Sequence, residues 1–265
     1  MPCYSKLNII VMLMMFSSIF GANKPDFFVC YAKVPTSQIQ GFNTVFLESA
    51  FYNHAEVELL KKNNKKVYAY ISLTEVSKHN TGLYQKLSPY LLSENSNWNS
   101  AYINISKAKA RAILIDEIAT IYSKGFDGLL LDNLDNASIH GPYKVLQSSL
   151  IQLIEEINHK FSDKDLIQNG GLFLLEKTHT VIKGILVESV FTDYDFQLKT
   201  YKIRNKQEAV LKKTSFINTI KHYKLKGYVI EYASQKSVVQ KIYRKYNLNQ
   251  LSVVVTDINL SNNLK

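Results

Sequence analysis

Gly125-Phe126-Asp127-Gly128-Leu129-Leu130-Leu131-Asp132-Asn133-Leu134-Asp135 is the stretch that decides the fold. It has a glycine-bracketed opening, a short leucine run, and two acids where a strand should end. Leucines bounded by turn residues mark a strand buried on both faces, as in parallel sheets with helices outside. Side chains alternate, so Gly128, Leu130 and Asp132 share one face while Leu129 and Leu131 share the other. If the sheet closes, the leucine pair faces the helices and Asp132 points inward at the mouth. That is where parallel barrels keep their chemistry.

Working outward, short β-rich runs alternate with helical patterns. Strands are expected over 27–31, 44–48, 67–73, 166–171, 184–190, 226–232 and 251–257, with the opening stretch as the fourth of eight. Apolar residues recur at helical spacing over 55–62 and over 107–124, where Ser106 is the expected cap and Gly125 the stop. Further helices are expected over 142–159, with Pro142 near its start, and near 172–180, 206–223 and 235–246. The Ser- and Asn-rich stretch 74–100 reads as an irregular loop with one short helix over 83–87, of the kind that shapes a cleft. Eight strands with intervening helices predict a (β/α)8 TIM barrel. A doubly wound open sheet is the competitor, but no Gly-x-Gly-x-x-Gly follows the first strand.

With 265 residues and 46% hydrophobic content, one substantial core is possible without staples. Lys6 precedes an apolar run from Leu7 to Phe20, followed by Gly21 and Ala22. This pattern is read as a signal peptide over 1–22, leaving a single domain over 23–265. An uncleaved anchor is the competing reading, although the run is short for a membrane span. Cys3 leaves with the peptide, so Cys30 stays alone and gives neither a disulfide nor a redox or zinc motif. A secreted or periplasmic monomer is expected, without stable membrane insertion once the leader is cut. The net charge of +10 is concentrated in lysines of the last third. A basic surface suits anionic polymers, but lysines along helix patterns usually form solvated faces, and no nucleic-acid motif accompanies them.

Acids stand at five strand ends: Glu48, Asp132, Glu188, Glu231 and Asp257. Parity puts Gly184, Leu186 and Glu188 on one inner face, and Gly227, Val229 and Glu231 on another. Two carboxyl groups across a sugar-sized gap divide labour, one protonating the departing oxygen while the other attacks the anomeric carbon or activates water. Such chemistry needs no metal and no cofactor, and the six histidines show no His-x-x-x-His pairing. Each residue has a duller reading. Asp127 would fix a turn at the barrel bottom, Asp135 would cap the following loop, and Glu188 would pair with a lysine. Glu48 and Glu231 would be polar rim. Tyr31, Tyr68, Tyr70, Tyr194 and Tyr232 would stack on sugars or simply pack. Trp98 is either a sugar platform or a loop anchor.

Ala69-Tyr70-Ile71-Ser72 with Glu75, the later Trp98, Gly125–Gly128 leading to Leu131–Asp135, Asn169-Gly170, Glu188 and Glu231-Tyr232 occur in this order. They resemble the endo-α-1,4-polygalactosaminidase family, glycoside hydrolase family 114, and its glycosidase-like TIM-barrel relatives. The resemblance spans nearly the whole mature chain, and its most specific part is Gly125–Asp135. It implies a secreted hydrolase acting inside α-1,4-linked galactosamine chains of exopolysaccharide. The catalytic acids would fall on Asp132 and Glu188, with Tyr70, Ser72, Glu75, Asn169 and Tyr232 lining the cleft. Tyr31, Glu48, Asp135 and Glu231 complete the expected substrate-binding set. Where the family reads Gly-Glu after the third strand, this chain has Thr74-Glu75.

A basic enzyme would repel deacetylated galactosamine polymers unless its cleft were locally acidic. An acetylated, neutral or anionic glycan is therefore a second substrate class. Two further readings come from other classes: a glycan-binding barrel that has lost turnover, and a surface module docking its basic helices on anionic polymer. Carboxyl groups roughly 5 Å apart would indicate retention of the anomeric centre, and roughly 6.5–9.5 Å inversion.

Overall fold

A computed structural model describes residues 25–246 and 251–261; the leader expected over 1–22 lies outside them. Eight parallel strands follow one another around a barrel: β1 Phe27–Cys30, β2 Thr44–Glu48, β3 Val67–Ser72, β4 Gly128–Asp132, β5 Asp165–Asn169, β6 Gly184–Glu188, β7 Lys226–Tyr232 and β8 Ser252–Thr256. The seam between the first and last strands is drawn together by Tyr31 N–H donating to the Leu260 carbonyl at 2.9 Å and by the Ser252 hydroxyl on Asp26. Between the strands run α1 His54–Asn63, α2 Thr81–Leu87, α3 Ala108–Ser123, α4 Gln147–Lys160, the single turn α5 Leu175–Thr178, α6 Lys206–Tyr223 and α7 Lys236–Lys245. This is a (β/α)8 TIM barrel.

Alternation along the strands divides the apolar residues into two cores. Phe27, Val29, Phe46, Tyr68, Leu130, Ile167, Leu186, Tyr228, Ile230 and Val254 fill the barrel interior. Leu129 and Leu131 belong instead to the shell between strands and helices, with Leu114, Ile118, Leu150 and Ile154. Gly128 has no room for a side chain, since a Cβ there would lie 2.1 Å from the Asp165 carbonyl oxygen and 2.9 Å from the Tyr68 ring. The floor is polar: Tyr68 donates to Asp165 at 3.1 Å, Lys66 pairs with the same carboxylate at 2.9 Å, and Thr44 and Tyr228 join hydroxyls at 3.0 Å. Asp127, at the foot of β4, accepts the Val67 N–H at 2.8 Å and so ties β3 to its neighbour rather than capping its own turn.

The inner set expected for the seventh strand is corrected. Tyr228 pairs with Leu186 and Ile230 with Glu188, so Tyr228, Ile230 and Tyr232 face inward while Gly227, Val229 and Glu231 face the helices. Residues side by side in a parallel pair share a face, and that register is a non-local fact. The barrel needs the bulk: Tyr228 packs edge-on against Phe27 and Phe46, both at 5.3 Å between ring centroids.

Local corrections are smaller. Ser106 does not cap α3; its hydroxyl donates to Asn104 Oδ1, and the helix starts beyond Lys107 with no side-chain cap. The helix expected from Pro142 begins with a 3-10 turn, Lys144–Leu146, and becomes regular only at Gln147. The stretch read as an irregular loop after β3 is a three-stranded antiparallel sheet, with Ser100–Ile103 between Glu75–Ser77 and Leu91–Asn95, and α2 inserted. A hairpin, Thr192–Asp195 against Thr200–Ile203, rises after β6 where no strand was expected. These two arms stand on the mouth.

Candidate active site

Parity delivers Asp132 from β4, Asn169 from β5 and Glu188 from β6 to one side of the mouth. The Asn169 amide lies between the acids, donating to Asp132 Oδ1 at 2.7 Å and to Glu188 Oε1 at 2.8 Å. Both oxygens are therefore tethered to one nitrogen and cannot separate by more than twice that length. Each of the three residues is followed at once by a left-handed backbone: Asn133 at φ 61°, Gly170 at φ 64° and Ser189 at φ 56°. The chain thus turns sharply away, and each functional group is the last side chain of a rigid strand. For Asn133 and Ser189 that conformation costs about 1–2 kcal/mol relative to ordinary backbone.

The remaining donors converge on the same carboxylates. Tyr70 donates to Asp132, as does the Asn133 N–H, and Tyr232 donates to Glu188 Oε2 at 2.6 Å. Tyr31 packs on Tyr70 with ring centroids 4.4 Å apart. Burial and then the nearby Glu188 charge push the Asp132 carboxyl up to about 7, against hydrogen bonds that lower it. Asp132 therefore keeps its proton to near neutrality. Tyr31, Tyr70 and Tyr232 are all pushed upward, by burial first and then by the charge of Asp132 or Glu188, so their hydroxyls stay protonated donors.

The other expected residues have different stations. Ser72 accepts from Glu75 N–H at 3.0 Å and from Asn133 Nδ2 at 2.8 Å, tying the end of β3 to the turn after Asp132. Asp135 accepts the Gly171 N–H at 3.1 Å and comes so close that a Cβ on Gly170 would meet its Oδ2 at 2.2 Å. Its carboxylate fixes the turn that carries Asn169. Glu48 turns back to accept the Ala50 N–H at 3.0 Å, and burial raises its carboxyl.

Glu75 and Glu231 are not brought to the acid pair. Glu75 is 5% exposed and accepts from Ser100, Asn95 and Asn136, rooting the three-stranded arm on the loop after β4. Glu231 is fully buried on the outer face of β7, where it accepts from Phe191 N–H at 2.7 Å, Thr192 N–H at 2.9 Å, the Thr192 hydroxyl at 2.6 Å and Tyr246. It roots the hairpin. Its neighbour Tyr232 reaches the pair in its place. Lys212 escaped the sequence reading: from α6 it donates to the carbonyls of Glu188 at 3.0 Å and Ser189 at 2.9 Å, clamping the strained turn. Nothing in its local pattern separates it from the other helix lysines.

Two acids on the ends of alternate strands, bridged by one amide in a barrel mouth, suit glycosidic bond cleavage. The sequence profile described as glycoside-hydrolase family GH114 matches residues 22–264. The chain belongs to glycoside-hydrolase family GH114. It is accordingly a glycoside hydrolase. This GH114 chain superposes on the glycoside hydrolase domain of PelA from Pseudomonas aeruginosa with a TM-score of 0.77, at 20% identity, over 90% of this chain and 97% of that one. It also superposes on Ega3 of Aspergillus fumigatus, solved in complex with galactosamine, with a TM-score of 0.69 at 16% identity, covering 89% and 91% of the two chains. At such identities these likenesses concern the fold. No curated protein sequence matches the GH114 chain at a significant level.

Proposed function

We propose that the protein is an exported, endo-acting hydrolase of α-1,4-linked galactosamine in an exopolysaccharide, with Asp132 as nucleophile and Glu188 as general acid and base. The observation that carries this reading is the Asn169 bridge. The two hydrogens of one amide diverge, so acceptors on both sit roughly 5 Å apart, the separation of retaining rather than inverting enzymes. With substrate bound, the proton that the free enzyme keeps on Asp132 sits on Glu188 instead. Ionised Asp132 attacks the anomeric carbon while Glu188 gives that proton to the departing oxygen; the C–O bond breaks and a glycosyl ester forms on Asp132. Glu188, now a carboxylate, takes a proton from water. The resulting hydroxide displaces Asp132 and leaves the sugar with its original anomeric configuration.

Charge favours an amino sugar despite the basic surface. Asp132, Glu188, Asp135 and Glu48 gather at or beside the mouth, while Lys212 spends its ammonium on two carbonyls. A protonated amine would find local attraction inside a shell that is basic overall. The galactosamine bound to Ega3 belongs to that protein, and its chemistry agrees with this charge pattern. Purified protein lacking residues 1–22, incubated with galactosamine polymer, should release reducing ends with retained configuration by proton NMR. Asp132→Asn and Glu188→Gln should each lower the rate by at least about 10³-fold while binding persists. Binding without cleavage by the unmutated chain would sink the proposal.

A further inference from the structure

The two arms on the mouth meet at their tips. Trp98, in the turn between the second and third strands of the three-stranded sheet, packs edge-to-face on Phe196 at the hairpin tip, with centroids 5.3 Å apart and planes at 77°. The contact does not hide them: Trp98 stays 48% exposed and Phe196 42%. An aromatic series continues inward from Phe196 to Tyr194 at 5.1 Å and from Tyr194 to Tyr201 at 5.0 Å. Tyr201 packs on the interior cluster and accepts the Ile258 N–H at 3.2 Å, so the hairpin lies across the mouth from β6 toward the segment after β8.

Beside the Trp98–Phe196 contact lies a cavity of about 640 Å³, lined by Asn97, Asp193, Tyr194, Asp195, Phe196, Gln197 and Lys202. Its walls offer amides, carboxylates and aromatic carbon together. Asp193 is held by Arg204 at 3.1 Å and Asp195 by Lys202, which fixes both carboxylates in place. Flat apolar faces beside pinned polar groups match a pyranose, whose C–H face is apolar and whose rim is hydroxylic. Asp132, Asn169 and Glu188 are not among the residues that line it, so this cavity is not formed by the acid pair.

We propose that Trp98, Phe196 and this cavity form a second saccharide subsite, which holds a sugar unit of the polymer beyond the linkage being broken. The inference rests on the polysaccharide-hydrolase reading above. It predicts that short oligosaccharides, spanning only the acid pair, ignore the arms, whereas long chains need them.

Trp98 is the one tryptophan in the chain, so intrinsic tryptophan emission reports on this subsite alone. In the Asp132→Asn protein, titration with α-1,4-galactosamine oligosaccharides of increasing length should leave the emission unchanged for the shortest and shift or quench it, saturably, for longer ones. In the otherwise unmutated protein, Trp98→Ala with Phe196→Ala should lower kcat/KM on polymer about tenfold and leave the shortest cleavable oligomer unaffected. Trp98→Phe should recover most of the polymer activity, which a mere loss of folding would not allow. Calorimetric binding of long oligomers with no change in emission, or an equal loss on short and long substrates, overturns the subsite. Saturable quenching without cleavage by the unmutated protein leaves the subsite standing and removes the catalytic reading; neither quenching nor cleavage removes both.

Discussion

Asn169 holds both acids with one amide, and in the proposed mechanism it sets the distance over which proton donor and nucleophile cooperate. Asn169→Ala should leave the fold intact and reduce kcat by about 10²-fold or more, with KM nearly unchanged, in steady-state kinetics on polymer. Asp132 also carries a stability consequence. Its native carboxyl is raised to about 7 from an ordinary 3.8, so between those values the folded chain binds a proton that the unfolded chain has lost. The site therefore weakens the fold progressively as pH rises through that window, and the loss is complete above it. Asp132→Asn should melt higher than the parent at pH 8, with the difference vanishing near pH 4, in paired thermal scans. Tyr232→Phe removes the hydroxyl that holds the Glu188 carboxyl in place, so kcat on polymer should fall about tenfold or more in steady-state kinetics. Asp132 and Glu188 were legible from the chain because both end leucine- or valine-rich strands whose parity follows from a single local rule. Glu231 was not: its Gly-x-x-x-Glu run imitates β6, and only pairing with a strand more than forty positions away shows that it faces outward.

At the scale of elements, the barrel strands announce themselves through apolar runs and the helices through their period. The arms do not. Their strands are three to five residues long, mix polar and apolar residues without a long apolar run, and are held by pairing with one another and by two buried glutamates. A polar segment whose order comes from a distant carboxylate carries no periodic mark of its own. Glu231→Leu should leave the Phe191 and Thr192 N–H groups buried without an acceptor, costing about 1–3 kcal/mol for each group, measurable by urea unfolding. Gly170→Ala forces a side chain into a left-handed backbone and against Asp135, so it should displace Asn169 and lower activity more than it lowers the melting temperature.

For the molecule as a whole, closure is the vulnerable feature. The segment after β8 returns across the barrel to bond Tyr31, and Leu260, 5% exposed, packs on the interior cluster from above. Leu260→Ala should cost about 2–5 kcal/mol in chemical unfolding and loosen Tyr31 beneath it. That the sheet would close could be read from eight apolar strands with helical patterns between them, whereas the contacts that lock the seam could not, because the Tyr31–Leu260 backbone bond and the Ser252–Asp26 pair leave no periodic mark. The left-handed residue that follows each of Asp132, Asn169 and Glu188 has a use beyond this chain. Three such kinks on consecutive staves form a pattern in backbone angles alone, a signature by which barrels of this chemistry could be recognised after their letters have drifted past comparison.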